Sequence, residues 1–307
     1  MRRLFTIALI SGFLLGCQSP LPVSLAKAAA IRSHNQASKA LAEGDFSAAD
    51  TGYRNAMRQA AVLDDWAGEA ESRLAWAVSL QRRGQTAEAA QALAPLLDDL
   101  RLPYPLSSQQ QALAWRAQWQ LAARNWPALE RDLLRLSDLC MSECQPAALL
   151  ASLQAQLAVH DKRLGDAAEY AERALLLAGT EISETRAYAL RVQANIALLD
   201  HPERGIEPIM AALDIDRQLG NSAGVFQDLL LRTWLAQLLQ APDRMHWLHR
   251  VCQVAAGMLS PLNDKALQQL PEEIWHDYSL SFVANPGREP VAERLSDSIE
   301  QRSCGSP

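Results

Sequence analysis

The stretch from Ala37 to Ala60, ASKALAEGDFSAADTGYRNAMRQA, constrains the fold more than any other part of the chain. Gly44 suits the left-handed residue that ends a helix, and Asp45 suits the N-cap of the next helix. Small or apolar residues recur at helical spacing before and after this turn, at Ala37, Ala40 and Leu41 and then at Ala49, Tyr53, Ala56 and Ala60. The stretch therefore predicts two antiparallel helices that approach closely at their small residues.

The same pattern returns along the chain in a nearly constant frame. The turn Gly44-Asp45-Phe46 is followed at intervals of 40 by Gly84-Gln85-Thr86 and Arg124-Asn125-Trp126. The last anchor of the second helix recurs at Ala56, Leu96, Leu136, Ala174, Ala212 and Cys252. In the sixth unit the three second-helix positions fall on Met245, His249 and Cys252, and the first-helix packing positions read Ala37, Ala77, Ala117, Ala155, Gln193 and Thr233. Such an even phase predicts six helix pairs.

This pattern resembles the tetratricopeptide repeat, which has a small residue in its first helix, a Gly-Asp/Asn-aromatic turn, and Ala, aromatic and Ala positions in its second helix. The resemblance implies an all-α fold, a right-handed superhelical solenoid of about six antiparallel helix pairs. The period of 38 to 40 residues exceeds the family's usual value of about 34, so we expect helices lengthened by about a turn. We expect the repeat domain over 26–260 as one elongated domain, with a capping helix and tail over 261–307.

The N-terminus has the pattern of a secretory signal. A basic start, Met1-Arg2-Arg3, precedes an apolar run from Leu4 to Leu15 that is too short to span a bilayer. Leu14-Leu15-Gly16-Cys17 resembles a bacterial lipobox, which implies cleavage after residue 16 and lipidation of Cys17. Gln18 and Ser19 follow instead of Asp, so the resemblance implies sorting to the periplasmic face of the outer membrane. Residues 17–25 then form the lipidated Cys and a short tether.

The charge of the chain limits its partners. Without the signal, 27 basic and 35 acidic residues leave a formal charge of −8. This excess of negative charge argues against nucleic acid and against electrostatic docking on anionic lipid. We expect contact with the membrane through the lipid alone.

Four cysteines remain after Cys17, and an even number in an oxidising compartment suggests disulfides. Cys140 and Cys144 flank the loop between the third and fourth units, whereas Cys252 lies in the last unit and Cys304 in the tail. We favour the pairing 140–144 with 252–304 among the three that are possible. A zinc site is a poor alternative because Cys140 and Cys144, four residues apart, have no second Cys or His pair nearby.

No residue pattern indicates catalysis. The chain has no phosphate loop, His-Glu-x-x-His or dinucleotide motif. His246 and His249 share a helix face, but His249 falls on a repeat packing position and no carboxylate partner stands out. We therefore expect no enzyme activity, no metal and no cofactor, and we expect most of the Trp residues to lie in the core.

A repeat solenoid presents a face built from its first helices. The resemblance places partner-binding positions on these helices, at His34, Ser38, Gln81, Gln118, Gln156, Trp234 and Gln237. This lining is neutral and rich in amides, which suits an extended peptide or a partner helix. The sequence thus predicts a non-enzymatic, lipid-anchored periplasmic adaptor for a protein partner in envelope, pilus or secretion machinery. A peptidoglycan binder or regulator of peptidoglycan enzymes is the alternative, and an envelope hydrolase ranks last.

Overall fold

The computed structural model describes residues 24–98, 102–141 and 144–258. Within these ranges every regular element is helical and no strand is present, so the all-α prediction is confirmed. Twelve α-helices and one short 3-10 helix follow one another: α1 (Leu25–Ala42), α2 (Phe46–Val62), α3 (Trp66–Arg82), α4 (Thr86–Asp98), α5 (Leu106–Ala122), α6 (Trp126–Leu139), α7 (Ala147–His160), α8 (Leu164–Ala178), α9 (Glu184–Asp200), the 3-10 helix (Pro202–Gly205), α10 (Ile206–Leu219), α11 (Ser222–Leu238) and α12 (Arg244–Met258).

The helices are divided between two compact units. Among the described residues, the first unit comprises 24–95 and 102–105, and the second comprises 96–98, 106–141 and 144–258. In the first unit α1 packs on α2, α2 on α3, and α1 on α3. In the second unit the first helices of successive pairs also touch, since α5 contacts α7, α7 contacts α9 and α9 contacts α11. Each second helix, α6, α8 or α10, contacts the first helix of the following pair.

A recurring turn closes at least half of these helices. Gly44 and Gly84 adopt positive φ values of 79° and 75°, as predicted for residues that end a helix. The same left-handed position is held by Asp64, Arg124, Lys162 and Gln240, which are not glycines. After each such residue the next backbone N–H reaches back to a carbonyl five residues earlier, for example Asp45 to Ala40 at 2.9 Å and Gln85 to Leu80 at 3.1 Å. These hydrogen bonds satisfy carbonyls that the helix end would otherwise leave unpaired.

The next helix begins at once because the residue after the turn caps it. The Asp45 carboxylate accepts from the Ala48 N–H at 3.0 Å, which confirms the predicted cap. Asp65 and Asn125 repeat this arrangement at Gly68 and Ala128, with distances of 3.1 and 3.4 Å. Three-residue turns join α1 to α2, α2 to α3, α3 to α4, α5 to α6 and α7 to α8, and in the last of them Arg163 precedes α8 without a side-chain cap.

The repeat frame read from the sequence matches the core through the fifth second helix. Ala49, Tyr53 and Ala56 of α2 are at most 1% exposed. The corresponding positions are also buried in α4, α6, α8 and α10, at Ala89, Leu93, Leu96, Leu129, Leu133, Leu136, Ala167, Ala171, Ala174, Gly205, Ile209 and Ala212. Complete burial of a leucine or isoleucine side chain is worth about 1.5–3 kcal/mol, so the leucines and the isoleucine at these positions contribute most where they occur.

The frame predicted for α12 is wrong by two residues. Met245 is 45% exposed and His249 lies on the surface, whereas Trp247, Val251 and Val254 pack into the core of the second unit. The cause is the loop before α12, which runs from residue 239 to 243 and is therefore two residues longer than the three-residue turns. A smaller slip occurs in α9, where Ala194 is fully buried and the predicted packing residue Gln193 is only half-buried.

The cysteines of the described residues are consistent with disulfide formation. Cys140, which caps the end of α6, is bonded to Cys144, so this predicted pair is present. Cys252 is half-buried and also disulfide-bonded. Cys17 and Cys304, the signal over 1–16 and the capping segment over 261–307 lie outside the described residues, so the lipidation and the 252–304 pairing stay predictions. None of the helices described here combines the length and the apolar character that crossing a membrane requires.

Candidate functional site

The candidate site is the set of polar side chains that the first helices of the pairs leave outside the core. We call it the first-helix face. It has a separate part in each unit. The part in the first unit comprises the predicted residues His34 and Ser38 on α1 and Gln81 on α3, and the part in the second comprises the predicted Gln118 on α5, Gln156 on α7 and Gln237 on α11, together with Tyr188 on α9. The part in each unit is described by itself.

In the first unit, the face is organised by His34 and Tyr53. His34 Nδ1 lies 3.1 Å from the Ser72 hydroxyl of α3, and Nε2 lies 3.7 Å from the exposed Glu71 carboxylate. The His34 ring meets the Tyr53 ring edge-on at 5.5 Å. Because Tyr53 is 1% exposed, its hydroxyl requires an internal acceptor, which is the Ser38 hydroxyl at 3.2 Å. His34 and Ser38 thus connect the face to the core, while Gln81 is exposed.

In the second unit, a hydrogen bond joins the first helices of two successive pairs. The Gln156 amide of α7 donates to the Tyr188 hydroxyl of α9 at 2.6 Å. Burial raises the pKa of Tyr188 to about 12, against the opposing effects of Arg191 and Gln156. The phenol is therefore protonated at neutral pH and keeps its own O–H as a donor. Gln118 and Gln237 are half-buried, so their amides also reach the surface.

Trp234 is a wrong prediction for this face. Its side chain is 3% exposed and belongs to the core cluster that also contains Leu230, Leu231 and Val251. The predicted register treated Trp234 as a groove position because Thr233 occupies the small-residue position before it. In the structure α11 is buried on nearly all sides, from Asp228 to Ala236, so this position faces the protein interior.

The sequence prediction of the first-helix face omitted Tyr188, although a regular spacing in the sequence points to it. In the second and third pairs, Glu71 and Gln111 lie six residues before the close-packed Ala77 and Ala117. The residue that occupies this place relative to the buried Ala194 is Tyr188. When the six residues are counted back from the predicted packing residue Gln193 instead, the count ends one position too early and misses Tyr188.

A second polar cluster lies inside the second unit and is not accessible. Arg191 of α9 donates through Nη2 to Asp216 of α10 at 2.5 Å and through Nε to Asp228 of α11 at 2.6 Å. Both carboxylates are 0% exposed. Asn221 caps α11 and donates to the other Asp216 oxygen at 2.9 Å. This cluster connects three consecutive helices, and nothing in the sequence pattern had indicated it.

Burial gives this cluster its unusual acid–base character. Two carboxylates share one guanidinium, and Asp228 Oδ2 has no hydrogen-bond partner among the described residues. Desolvation raises the pKa of Asp228 to about 7, with Arg191 opposing the shift and the neighbouring Asp216 adding to it. Perturbed carboxyls also occur in active sites, but this pair lies in the core, so we interpret it as a structural network.

The first-helix face is therefore suited to hydrogen bonding with neutral polar groups. Its amides both donate and accept, and its hydroxyls accept a second bond. Peptide backbones present the same alternation of donors and acceptors. In the described part of the chain, no group of three or more His, Cys, Asp or Glu side chains is arranged to hold a metal ion.

Comparison with known proteins adds no relative. No protein-family model matches the chain, and no curated protein is detectably similar to it.

Proposed function

We propose that this chain is a non-enzymatic adaptor that binds a protein partner through its first-helix face. The helix pairs form a solenoid of the tetratricopeptide type, right-handed and superhelical. A lipid on Cys17 holds the molecule at the periplasmic side of the outer membrane. The partner belongs to an envelope, pilus or secretion assembly and presents an extended peptide or a helix.

The observation that carries the proposal is the hydrogen bond between Gln156 and Tyr188, which spans neighbouring first helices. It joins two half-buried polar side chains on α7 and α9, which we interpret as part of a polar row along the first helices. An extended peptide needs such a row because its backbone polar groups repeat along its length. Gln118 on α5, whose helix contacts α7, provides a further amide in the same unit.

A matched pair of variants tests this use of the face. Gln118→Arg places a bulky charge on α5, whereas Glu130→Arg makes a charge change at an exposed position on the second helix α6. We expect the partner that co-purifies with the wild-type chain from solubilised envelopes to be lost with Gln118→Arg and kept with Glu130→Arg. Equal recovery with both variants would exclude the first-helix face as the binding surface.

Peptidoglycan binding is the competing function, and the amides of the face favour it equally on chemical grounds. Sugar hydroxyls and peptide stems also hydrogen-bond to amides. Sedimentation of the purified chain with purified sacculi separates the two. The adaptor proposal predicts that the chain stays in the supernatant, and co-sedimentation that Gln118→Arg abolishes would favour the peptidoglycan binder.

A further inference from the structure

A polar cleft on the first unit has properties of a binding site that the proposed function does not use. Its volume is about 480 Å³, and it is lined by Phe46, Ser47, Asp50, Thr51 and Arg54 of α2 and by Arg83 at the end of α3. This volume falls within the range of about 300–1,000 Å³ that is typical of small-ligand pockets. None of these residues belongs to the first-helix face.

The only carboxylate in the cleft lining is already neutralised. Asp50 Oδ2 accepts from Arg83 Nη2 at 2.7 Å, and Asp50 Oδ1 accepts from the Trp76 indole N–H at 3.2 Å. Both oxygens are therefore engaged by donors of the protein. The Asp50–Arg83 pair therefore carries no net charge of its own, and the Arg83 guanidinium lies 5.7 Å from the Phe46 ring.

Arg54 supplies the charge that remains. Its guanidinium lies over the Trp76 ring at 4.8 Å, and among the described residues it makes no hydrogen bond or ion pair. A cation–π contact holds the guanidinium in place without using its N–H donors. All five donors are thus available to a ligand.

The other groups in the cleft also donate. Ser47, Thr51 and Arg54 lie at positions i, i+4 and i+7 of α2, so they share one helix face. Both hydroxyls are exposed. The Arg83 Nε–H is buried and has no partner in the described residues. The cleft therefore offers many donors and one excess positive charge, while its carboxylate is already engaged.

We propose that this cleft binds a singly charged oxyanion, with Arg54 as the primary ligand and the Ser47 and Thr51 hydroxyls as secondary donors. A guanidinium held on an indole face matches the two oxygens of such an anion in a bidentate arrangement. The charge balance, two arginines against Asp50, fits a monoanion. Carboxylates and phosphodiesters share this chemistry and are the two sources of the ligand.

Nuclear magnetic resonance of the indole groups tests the proposal directly. The chain has eight Trp, and Trp76→Phe identifies the Trp76 signal. Acetate and dimethyl phosphate are titrated separately into the purified chain at constant ionic strength maintained with chloride. We expect a saturable shift of the Trp76 indole signal, because its N–H is donated to Asp50 inside the cleft. The anion that binds more tightly identifies the source as carboxylate or phosphodiester.

Arg54→Gln and Arg58→Gln form the matched pair of variants. Arg58 lies one turn further on α2, is exposed and donates to Asn55 outside the cleft. We expect Arg54→Gln to weaken binding about tenfold or more, since a charge-assisted hydrogen bond is lost, and Arg58→Gln to leave it unchanged. Thr51→Val should weaken binding by a smaller factor. The proposal is overturned if neither anion shifts the signal, if chloride alone produces the same shift, or if Arg54→Gln binds as the wild type does.

Discussion

At the scale of single residues, close approach between α1 and α2 depends on the absence of one methyl group. A Cβ built at Gly52 would lie 2.7 Å from the Ala37 Cβ and 3.2 Å from the Ser33 carbonyl oxygen. Ala37 is the packing residue that the sequence singled out, and Gly52 is its partner across the helix pair. The pair is therefore specified by two small residues rather than by one.

We predict that Gly52→Ala lowers the free energy of unfolding by about 1–3 kcal/mol, because the added methyl overpacks the contact. Gly165→Ala is the control, since a Cβ there meets nothing within 4 Å. That variant should be neutral or gain up to about 1 kcal/mol from helix propensity. Urea denaturation measures both values, and equal effects at the two glycines would contradict the close approach.

Asp228 makes stability depend on pH. Its pKa is raised to about 7 in the folded chain and is near 3.8 when solvated, so the native state binds the proton more tightly. The stabilisation that comes from this bound proton is complete below the pKa of the unfolded chain, and it is lost as the pH rises through about 7, the pKa in the folded chain. Between the two pKa values, the free energy of unfolding falls by about 1.4 kcal/mol per pH unit.

Asp228→Asn should remove this contribution, because asparagine does not titrate. We expect the unfolding free energy of the wild type to fall more steeply between pH 5 and 8 than that of Asp228→Asn, as measured by denaturation at several pH values. Asp214→Asn, at a side chain that is 64% exposed, should keep the wild-type slope. Parallel profiles for the wild type and Asp228→Asn would show that Asp228 stays ionised in the fold.

At the scale of elements, the turns between helices use one backbone conformation with different residues. Gly84 has φ +75° and Lys162 has φ +63°, and each lies between two helices of a pair. In this conformation, a residue with a Cβ destabilises the fold by about 1–2 kcal/mol. Glycine avoids this strain, but it loses more chain entropy on folding, which costs about 0.5–1 kcal/mol.

Exchanging the residue types should therefore move stability in opposite directions. We predict that Gly84→Ala destabilises by about 1 kcal/mol or less, although a Cβ there meets nothing within 4 Å. Lys162→Gly should stabilise by a similar amount. Midpoints of urea unfolding report both changes, and a loss of stability in Lys162→Gly would refute the assigned backbone strain.

The elements also explain what the sequence could and could not predict. Spacing located the packing residues of the second helices of the first four pairs, because equal three-residue turns join the two helices of each of these pairs. In α9 it missed the packing residue by one position. It failed at α12, since a loop two residues longer is not visible in a pattern of small and apolar residues. Trp234 was misplaced because its burial depends on the surroundings of α11. The Arg191 network joins residues 25 and 37 positions apart, so only the fold brings them together.

At the scale of the whole molecule, the proposed function requires both a lipid anchor on Cys17 and a partner on the first-helix face. We predict that Cys17→Ala releases the chain from the membrane fraction, because the proposed anchor is a lipid on Cys17. We expect its thermal unfolding to be unchanged, because the first helix begins only at Leu25. Fractionation and circular dichroism measure the two properties. A variant that remained in the membrane fraction would contradict lipidation at Cys17.

Photo-crosslinking in cells tests directly whether a protein partner lies on the first-helix face. A photoreactive amino acid replaces Gln118 on α5 or, as the control, the exposed Glu130 on α6, and the adducts are identified by mass spectrometry. The account predicts one envelope protein crosslinked from Gln118 and absent from Glu130. Adducts that are equal at the two positions, or confined to the chain's own residues, would contradict a partner on the first-helix face.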